Sequence, residues 1–229
     1  MDDGFLQQYL SLFDEFDVLA AFWVNIQLTF FAGILALILG TLLATMRISP
    51  VPSLRWAGST YVTLLRNTPL TIIMVFCVLG LWGQLGITLS PDFTTNFFRL
   101  AVVGLTVYHA AFVCEALRSG VNTVPVGQAE AARAIGLSFW PAARLVILPQ
   151  AFRGSVAPLG NVLIALTKNS TVAAAASVAE ASSLMRTMIE FRPDVIVAIF
   201  LTFALGFVLI VVPIGLATTS FSRRLTVAR

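Results

Sequence analysis

The sequence predicts an all-α integral membrane protein, and two features support that prediction. Of its 229 residues, 58% are apolar and only 11% are charged, whereas a soluble domain carries about 25% charged residues. The apolar residues also gather into five stretches, each close to the ~20 residues that an α-helix needs to cross a bilayer. The predicted spans are Ala20–Met46, Leu70–Ile87, Leu100–Leu117, Ser155–Ala176 and Val195–Thr218.

The charges between these spans predict an orientation. One set of loops carries nine arginines and one acid, Glu130, whereas the other carries three arginines and nine acids, Glu180 among them. Because short Arg-rich loops stay in the cytoplasm, we expect the N-terminus outside and the C-terminus in the cytoplasm. Residues 1–19 then form an extracytoplasmic N-terminal segment and residues 20–229 a transmembrane domain. The acidic N-terminal residues also lack the basic start of a cleavable signal peptide.

The longest cytoplasmic loop, residues 118–153, contains a spaced pattern of small, acidic and turn-forming residues. It reads Glu130-Ala131-Ala132, three residues, Gly136, nine residues, and then Val-Ile-Leu148-Pro149. The Ala-rich run 128–135 predicts a short helix that Gly136 caps at its C-terminus. Its small side chains allow close approach to a partner. An ordinary amphipathic linker is the alternative.

This spacing resembles the EAA loop of ABC-importer permeases, with Val146 in place of an isoleucine. Three further segments extend the resemblance over nearly the whole chain: Arg66-Asn67-Thr68-Pro69-Leu70, residues 115–128 and residues 160–170. Together they are similar to the permease subunits of polar amino-acid ABC importers, the HisMQ-like family, and especially to the glutamate-type branch. The resemblance implies a type I ABC importer permease fold with five transmembrane helices, in the bacterial plasma (inner) membrane.

The resemblance also implies partners. These are ABC ATPase subunits, a second permease subunit (a paralogue or an identical copy) and an extracytoplasmic solute-binding protein. The ATPase would dock on the coupling helix, whose predicted residues are Glu130, Ala131, Ala132, Gly136, Leu148 and Pro149. No cofactor is expected on this chain, since ATP and Mg²⁺ would be bound by the partner ATPase. The only lysine, Lys168, lies between Thr167 and Asn169, so the chain has no P-loop.

Polar residues within or beside the spans predict a substrate pathway. A charged side chain at the centre of a membrane helix costs about 2.5–3.5 kcal/mol on insertion scales, so Lys168 is a functional candidate. Gly160 is expected to allow irregular backbone near it. Arg66 precedes a predicted helix start, with Asn67 or Thr68 near the cap, where a cation would reinforce an anion site. The predicted pathway residues are Arg66, Asn67, Thr68, Pro69, Glu115, Asn161, Lys168, Asn169 and Ser170.

Each of these charges also has a structural interpretation. Lys168 could pair with a neighbouring helix or extend to the outer interface, and Arg66 could anchor the chain at the cytoplasmic interface. Glu115 could form an ion pair with Arg118, three residues later, or with Arg66. For Glu115 the ion pair is the favoured interpretation.

The resulting functional hypothesis is a transmembrane permease subunit of an ATP-driven importer, which moves polar amino acids, and specifically an acidic one such as glutamate, by alternating access. The chain itself would not be an enzyme. An ion-coupled secondary amino-acid transporter is the alternative, although such folds usually carry inverted repeats, and the two halves show none. A membrane scaffold that only binds a cytoplasmic partner is the third possibility.

Overall fold

The computed structural model describes residues 3–225 and is helical throughout most of that range, with no strand among those residues. Residues 1–2 and 226–229, which include Asp2 and Arg229 of the charge count and both chain ends, lie outside the described residues. The α-helices are α1 Asp3–Glu15, α2 Val18–Ile48, α3 Pro52–Arg66, α4 Leu70–Val75, α5 Phe93–Asn122, α6 Val126–Ala134, α7 Phe139–Ala142, α8 Leu148–Asn169, α9 Ala181–Phe191 and α10 Ile196–Leu225.

Four shorter segments of non-α helix extend or connect these helices. Phe76–Gln84 and Ala143–Ile147 are π-helical, so α4 and α7 each continue with a wider turn. Ser170–Ala176 and Pro193–Val195 are 3₁₀-helical.

Three of the five predicted spans match single apolar helices, and the other two match parts of bent helix pairs. Three helices are long and apolar enough to cross a membrane singly, namely Val18–Ile48, Phe93–Asn122 and Pro193–Arg224, and the number rises to five if each of two bent helix pairs is one span. The predicted second span corresponds to α4 with its π-helical extension, and the fourth to α8 with the 3₁₀ segment that follows it. The helices extend beyond most predicted boundaries because backbone hydrogen bonding does not stop where the apolar residues end.

Local sequence explains several of the helix starts. Pro52 opens α3, where its missing N–H costs nothing, and Val51 before it is extended. Asp92 precedes α5, and its carboxylate accepts the backbone N–H of Thr95 at 2.7 Å. Hydrogen bonds from the side chain and backbone of Thr95 lower the pKa of Asp92. The carboxylate is therefore charged, and able to cap the helix, at neutral pH.

The described chain forms two compact units, and the first comprises residues 3–34, 68–106 and 165–212. Its core joins the N-terminal helices to α9 and α10: Phe22 stacks on Phe203 with ring centroids 5.6 Å apart, and Leu12 of α1 is only 1% exposed in the same cluster. The sequence predicted residues 1–19 as a segment preceding the first span. The structure adds that α1 packs against this core through its apolar side chains.

The second unit comprises residues 35–67, 107–164 and 213–225. A buried cluster that includes Leu43, Val62 and Cys114 joins the second half of α2 to α3 and α5. The α5–α8 contact is closer still, because a Cβ at Gly120 would lie 2.8 Å from the backbone nitrogen of Ser155. Only glycine therefore fits where α5 passes α8.

One sequence expectation about the backbone is wrong. Gly160 does not mark irregular structure, because it lies inside α8. It is buried, and a Cβ there would be 2.7 Å from Cβ of Thr218. Its small size permits helix contact rather than a break. The irregular backbone begins ten residues later, at the 3₁₀ segment Ser170–Ala176.

Candidate functional site

The predicted docking helix is present as α6, Val126–Ala134, and it ends as the sequence predicts. Gly136 has a positive φ of 85°. Its N–H donates to the carbonyl of Arg133, and the N–H of Leu137 donates to the carbonyl of Ala132, both at 3.0 Å. These two bonds make a Schellman motif, which requires a left-handed residue at Gly136. The C-cap prediction is therefore confirmed.

The predicted docking residues differ in exposure. Ala132 is buried, with 3% of its surface exposed, whereas Glu130, Ala131 and Gly136 are exposed on α6 and just after it. Leu148 and Pro149 are exposed at the start of α8. Within the alanine run, Ala132 therefore packs inward while Ala131 faces outward.

Sequence reasoning missed an apolar surface around this helix. Ile135 is 78% exposed, Trp140 73% and Leu145 67%. All three lie in the 118–153 loop that the sequence predicts to be cytoplasmic, and large exposed apolar groups on such a loop are typical of a protein-binding surface. The signal was present in the sequence as bulky apolar residues between the charged positions of the 118–153 loop.

A second group of predicted residues forms an ion cluster around one carboxylate. Arg47 Nη1 donates to Oε1 of Glu115, and Arg118 Nη2 donates to Oε2 of the same carboxylate at 3.3 Å. Arg66 Nη1 lies 3.9 Å from Oε1. Both predicted partners of Glu115 are therefore confirmed. Arg47 was missed, because it belongs to a helix end far away in sequence.

Arg66 also contacts an aromatic ring. Its guanidinium carbon lies 5.8 Å from the centroid of the Phe112 ring, within the range of a cation–π interaction. Arg66 is the last residue of α3 and Asn67 is its C-cap. The predicted helix start therefore lies slightly later than expected, since Pro69 rather than Asn67 or Thr68 is the N-cap of α4.

These charged residues surround a cavity, which we call the arginine pocket. Its volume is about 400 Å³, within the roughly 300–1,000 Å³ of small-molecule sites. It is lined by Arg47, Val62, Thr63, Arg66, Asn67, Phe112, Glu115 and Arg118. Three of the predicted pathway residues, Arg66, Asn67 and Glu115, thus line one cavity.

The other predicted pathway residues lie elsewhere. Lys168 is exposed in the last turn of α8, and Asn169 is the half-buried residue that ends this helix. Ser170 is fully buried at the start of the 3₁₀ segment. Asn161 is exposed two turns earlier on α8, while Thr68 is half-buried and Pro69 exposed between α3 and α4.

Ser170 belongs to a buried polar network that the sequence did not predict. Asn25 Nδ2 donates to Oγ of Ser170 at 2.8 Å and to Oε2 of Glu180 at 3.0 Å. The Asn25 Oδ1 accepts the N–H of Ala181 at 2.9 Å. Both Asn25 and Glu180 are at most 1% exposed. Glu180 lies between helices, as the sequence predicts, but the structure adds that its side chain is buried.

Glu180 is buried because it caps a helix. Its carboxylate accepts the backbone N–H groups of Ser182 and Ser183 at the start of α9, each at 2.9 Å, and the Ser182 hydroxyl at 2.6 Å. These bonds and the positive end of the helix replace the lost hydration. An acid followed by two serines before an apolar run was the available signal.

Comparison with known proteins supplies the family. The description "Binding-protein-dependent transport system inner membrane component" matches residues 19–227. The chain belongs to this family. It is therefore a multi-pass inner-membrane permease subunit of an ABC importer, and ATP is hydrolysed by a separate subunit. Membership also implies ATPase and binding-protein partners.

Individual relatives cover almost the whole chain. It is 48% identical to the glutamate transport system permease protein GluC of Corynebacterium glutamicum, over 93% of this chain and 95% of that protein. It is 32% identical to the probable glutamine ABC transporter permease protein GlnM of Bacillus subtilis, over 93% and 96% respectively.

A solved structure agrees with the fold. An amino acid ABC transporter chain aligns with a TM-score of 0.82 and 24% identity, over 98% of this chain and 99% of that one. The all-helical type I importer permease fold is thus confirmed. The ion-coupled alternative has no support in these similarities.

Proposed function

We propose that this permease imports glutamate or a closely related acidic amino acid. The observation that carries the proposal is the 48% identity, over 93% of the chain, with a glutamate transport permease. Its assembly would contain a second permease subunit, identical or paralogous, two ATPase subunits that hold ATP and Mg²⁺, and an extracytoplasmic binding protein. Residues 1–19 would lie outside the membrane, residues 20–229 would form the permease domain, and the 118–153 loop would face the cytoplasm.

The test of the substrate is uptake of radiolabelled glutamate in cells that lack this gene, with and without the chain supplied on a plasmid. We expect uptake to require the chain and to collapse when cellular ATP is depleted with the ion gradients clamped. Excess unlabelled aspartate should compete, and excess arginine should not. Arginine competing better than aspartate would overturn the acidic-substrate proposal.

Coupling to ATP would run through α6 and its surroundings. The exposed Glu130 and Ala131, the apolar Ile135, Trp140 and Leu145, and the start of α8 at Leu148 and Pro149 offer a mixed surface on the predicted cytoplasmic side. Such a surface fits a groove on a soluble ATPase, because its apolar groups gain by leaving water. Movement of the ATPases would then be transmitted to the helices that adjoin this loop.

Two tryptophans provide a matched test of the docking surface. Trp140 is 73% exposed beside α6, and Trp56 is 72% exposed on α3, outside the predicted docking segment. We expect Trp140→Ala to reduce the amount of ATPase that co-purifies at least about threefold. A loss of roughly 0.7 kcal/mol in binding free energy has this effect. Trp56→Ala should leave that amount unchanged. Equal co-purification by both variants would refute docking at this surface.

Substrate passage would use the polar group at the end of α8. The exposed Lys168 lies one residue from Asn169 and two from the buried Ser170, and its ammonium group can attract a carboxylate as it passes. The other proposed pathway residues are kept because they are polar or helix-starting residues within or beside the spans. They are Arg66, Asn67, Thr68, Pro69, Glu115 and Asn161. Lys168 is the sharpest test because it is the chain's only lysine.

Charge reversal at Lys168 tests this role. We expect Lys168→Glu to reduce uptake roughly 10–100-fold, since a hydrogen bond to a charged group contributes about 1.5–3 kcal/mol, whereas Lys168→Arg should retain most activity. Arg186→Glu is the control, an exposed charge reversal on α9 outside the proposed pathway. Unchanged uptake in Lys168→Glu, with normal membrane levels, would exclude contact with the substrate.

A further inference from the structure

The arginine pocket carries more positive charge than its own carboxylate can neutralise. Three guanidinium groups, those of Arg47, Arg66 and Arg118, line it together with one carboxylate, Glu115. Arginine stays protonated at any physiological pH, so these four groups together carry two uncompensated positive charges. A cavity with that excess attracts an anion.

The hydrogen bonds show which donors are left for a ligand. Both oxygens of Glu115 already accept a guanidinium N–H, from Arg47 and from Arg118. Arg66 lies 3.9 Å from the carboxylate, too far for a hydrogen bond, and its side chain is 48% exposed. The Nε of Arg118 is buried without a hydrogen-bond partner among the described residues. Arg66 and Arg118 therefore offer N–H groups beyond those that the Glu115 carboxylate accepts.

The remaining lining groups suit a small oxyanion. Thr63 supplies a hydroxyl near Arg66 on the same helix, and Phe112 and Val62 provide apolar walls. Because Glu115 is occupied, the pocket has no free carboxylate for the ammonium group of an amino acid. Planar guanidinium groups bind phosphate in a two-pronged geometry, and an excess of two positive charges can neutralise either a singly charged phosphodiester or a doubly charged phosphate.

We propose that the arginine pocket is a binding site for a phosphate group, carried either by the headgroup of an anionic membrane lipid or by a soluble phosphate. The position of the pocket agrees with a lipid source. Arg47 lies in the last turn of α2 and Arg66 ends α3, and basic pockets near the cytoplasmic ends of membrane helices hold anionic headgroups. Leu64, 63% exposed beside Arg66, provides apolar surface for an acyl chain.

The experiment uses the intact, delipidated transporter complex in neutral detergent. Its probes are phosphatidylglycerol, phosphatidylcholine, inorganic phosphate and glutamate, and binding is read by native mass spectrometry and by the shift in Tm. Arg66→Gln removes one pocket charge, and Arg55→Gln is the matched control, because Arg55 is an exposed arginine of the same helix that does not line the cavity. Arg66→Lys keeps the positive charge but removes the planar guanidinium group, so it tests which of the two the ligand needs.

We expect the wild type and Arg55→Gln to bind phosphatidylglycerol, inorganic phosphate or both, with a raised Tm. Affinity should fall about tenfold or more in Arg66→Gln and less in Arg66→Lys. Binding of phosphatidylglycerol alone assigns the phosphate to a lipid, and binding of inorganic phosphate at millimolar concentration assigns it to a soluble ion. Equal affinity in Arg66→Gln and the wild type, or no phosphate binding by either, would overturn the proposal.

Glutamate is the discriminating probe. Binding of glutamate but of neither phosphate probe would also overturn the proposal and would leave these pocket residues with only their proposed role in the substrate pathway. Because Arg66→Gln could lower stability, its Tm without ligand and its elution volume are measured first. If that variant does not fold, Arg118→Gln provides the same comparison from α5.

Discussion

Asn25 and Glu180 are 155 positions apart in the chain, yet Nδ2 of Asn25 donates to Oε2 of Glu180 at 3.0 Å inside the first unit. The same amide also contacts Ser170 and the backbone of Ala181. One side chain on α2 therefore joins the start of the 3₁₀ segment that follows α8 to the start of α9. This joint lies where a helix pair bends by 60°.

Replacing Asn25 with leucine should destabilise this joint strongly. The substitution removes three hydrogen bonds and leaves buried polar groups of Glu180, Ser170 and Ala181 without that partner, at about 1–3 kcal/mol for each unsatisfied group. We expect a Tm at least several degrees lower for the detergent-purified protein. Asn122→Leu, an exposed position at the end of α5, is the control. Equal melting of the two variants would show that the network contributes little.

Replacing Glu115 with glutamine should leave three arginines facing one another without a counter-charge. Breaking a buried ion pair costs about 3–5 kcal/mol and an exposed pair about 0–1 kcal/mol. Glu115 is 24% exposed, so we expect about 1–3 kcal/mol of lost stability. Thermal unfolding in detergent measures it, with Glu130→Gln as the exposed control. An unchanged Tm in Glu115→Gln would contradict the importance of this cluster.

Gly136→Ala should destabilise the C-terminal end of α6, the proposed docking helix. The cause is the backbone conformation at position 136 and not a steric clash of the added methyl group. A Cβ at Gly136 meets no atom within 4 Å, but the residue has a φ of 85°, where an L-residue costs about 1–2 kcal/mol. Gly127→Ala is a close control, because its Cβ also meets nothing and no positive φ is present. We expect reduced ATPase stimulation and uptake in Gly136→Ala only. Gly136→Asn should be intermediate, since asparagine tolerates the left-handed region.

Gly120→Ala should separate α5 from α8. The added methyl would meet the backbone nitrogen of Ser155 at 2.8 Å, and backbone atoms cannot move aside as a flexible side chain can. Overpacking of this kind costs about 1–3 kcal/mol. Gly33→Ala is the control, because its Cβ would meet Leu166 at an ordinary 3.4 Å. We expect Gly120→Ala to lower both the Tm and the yield of purified protein, and Gly33→Ala to change neither. Similar Tm values for the two variants would contradict this prediction.

The membrane class, the apolar helices and the short helix proposed for docking could be predicted from local sequence. Apolar length selects the spans, and the alanine run closed by Gly136 specifies a helix whose end depends only on neighbouring residues. The ion pair between Glu115 and Arg118 was also accessible, since helical periodicity places residues three apart on one face.

The contacts that could not be predicted join groups from distant parts of the chain. Counting charges placed Glu180 in a loop without revealing its burial, and it gave Arg47 no partner, because a count does not register contacts in space. Folding buries Glu180 against Asn25 and a helix N-terminus, and it adds Arg47 to the cluster around Glu115. Apolar length and local turn chemistry thus predicted a membrane protein with a short helix that ends before Gly136, and the resemblance to ABC-importer permeases supplied the function. The tertiary structure decided which charges are neutralised and which face a cavity, because the free energy of a charge depends on its surroundings in space.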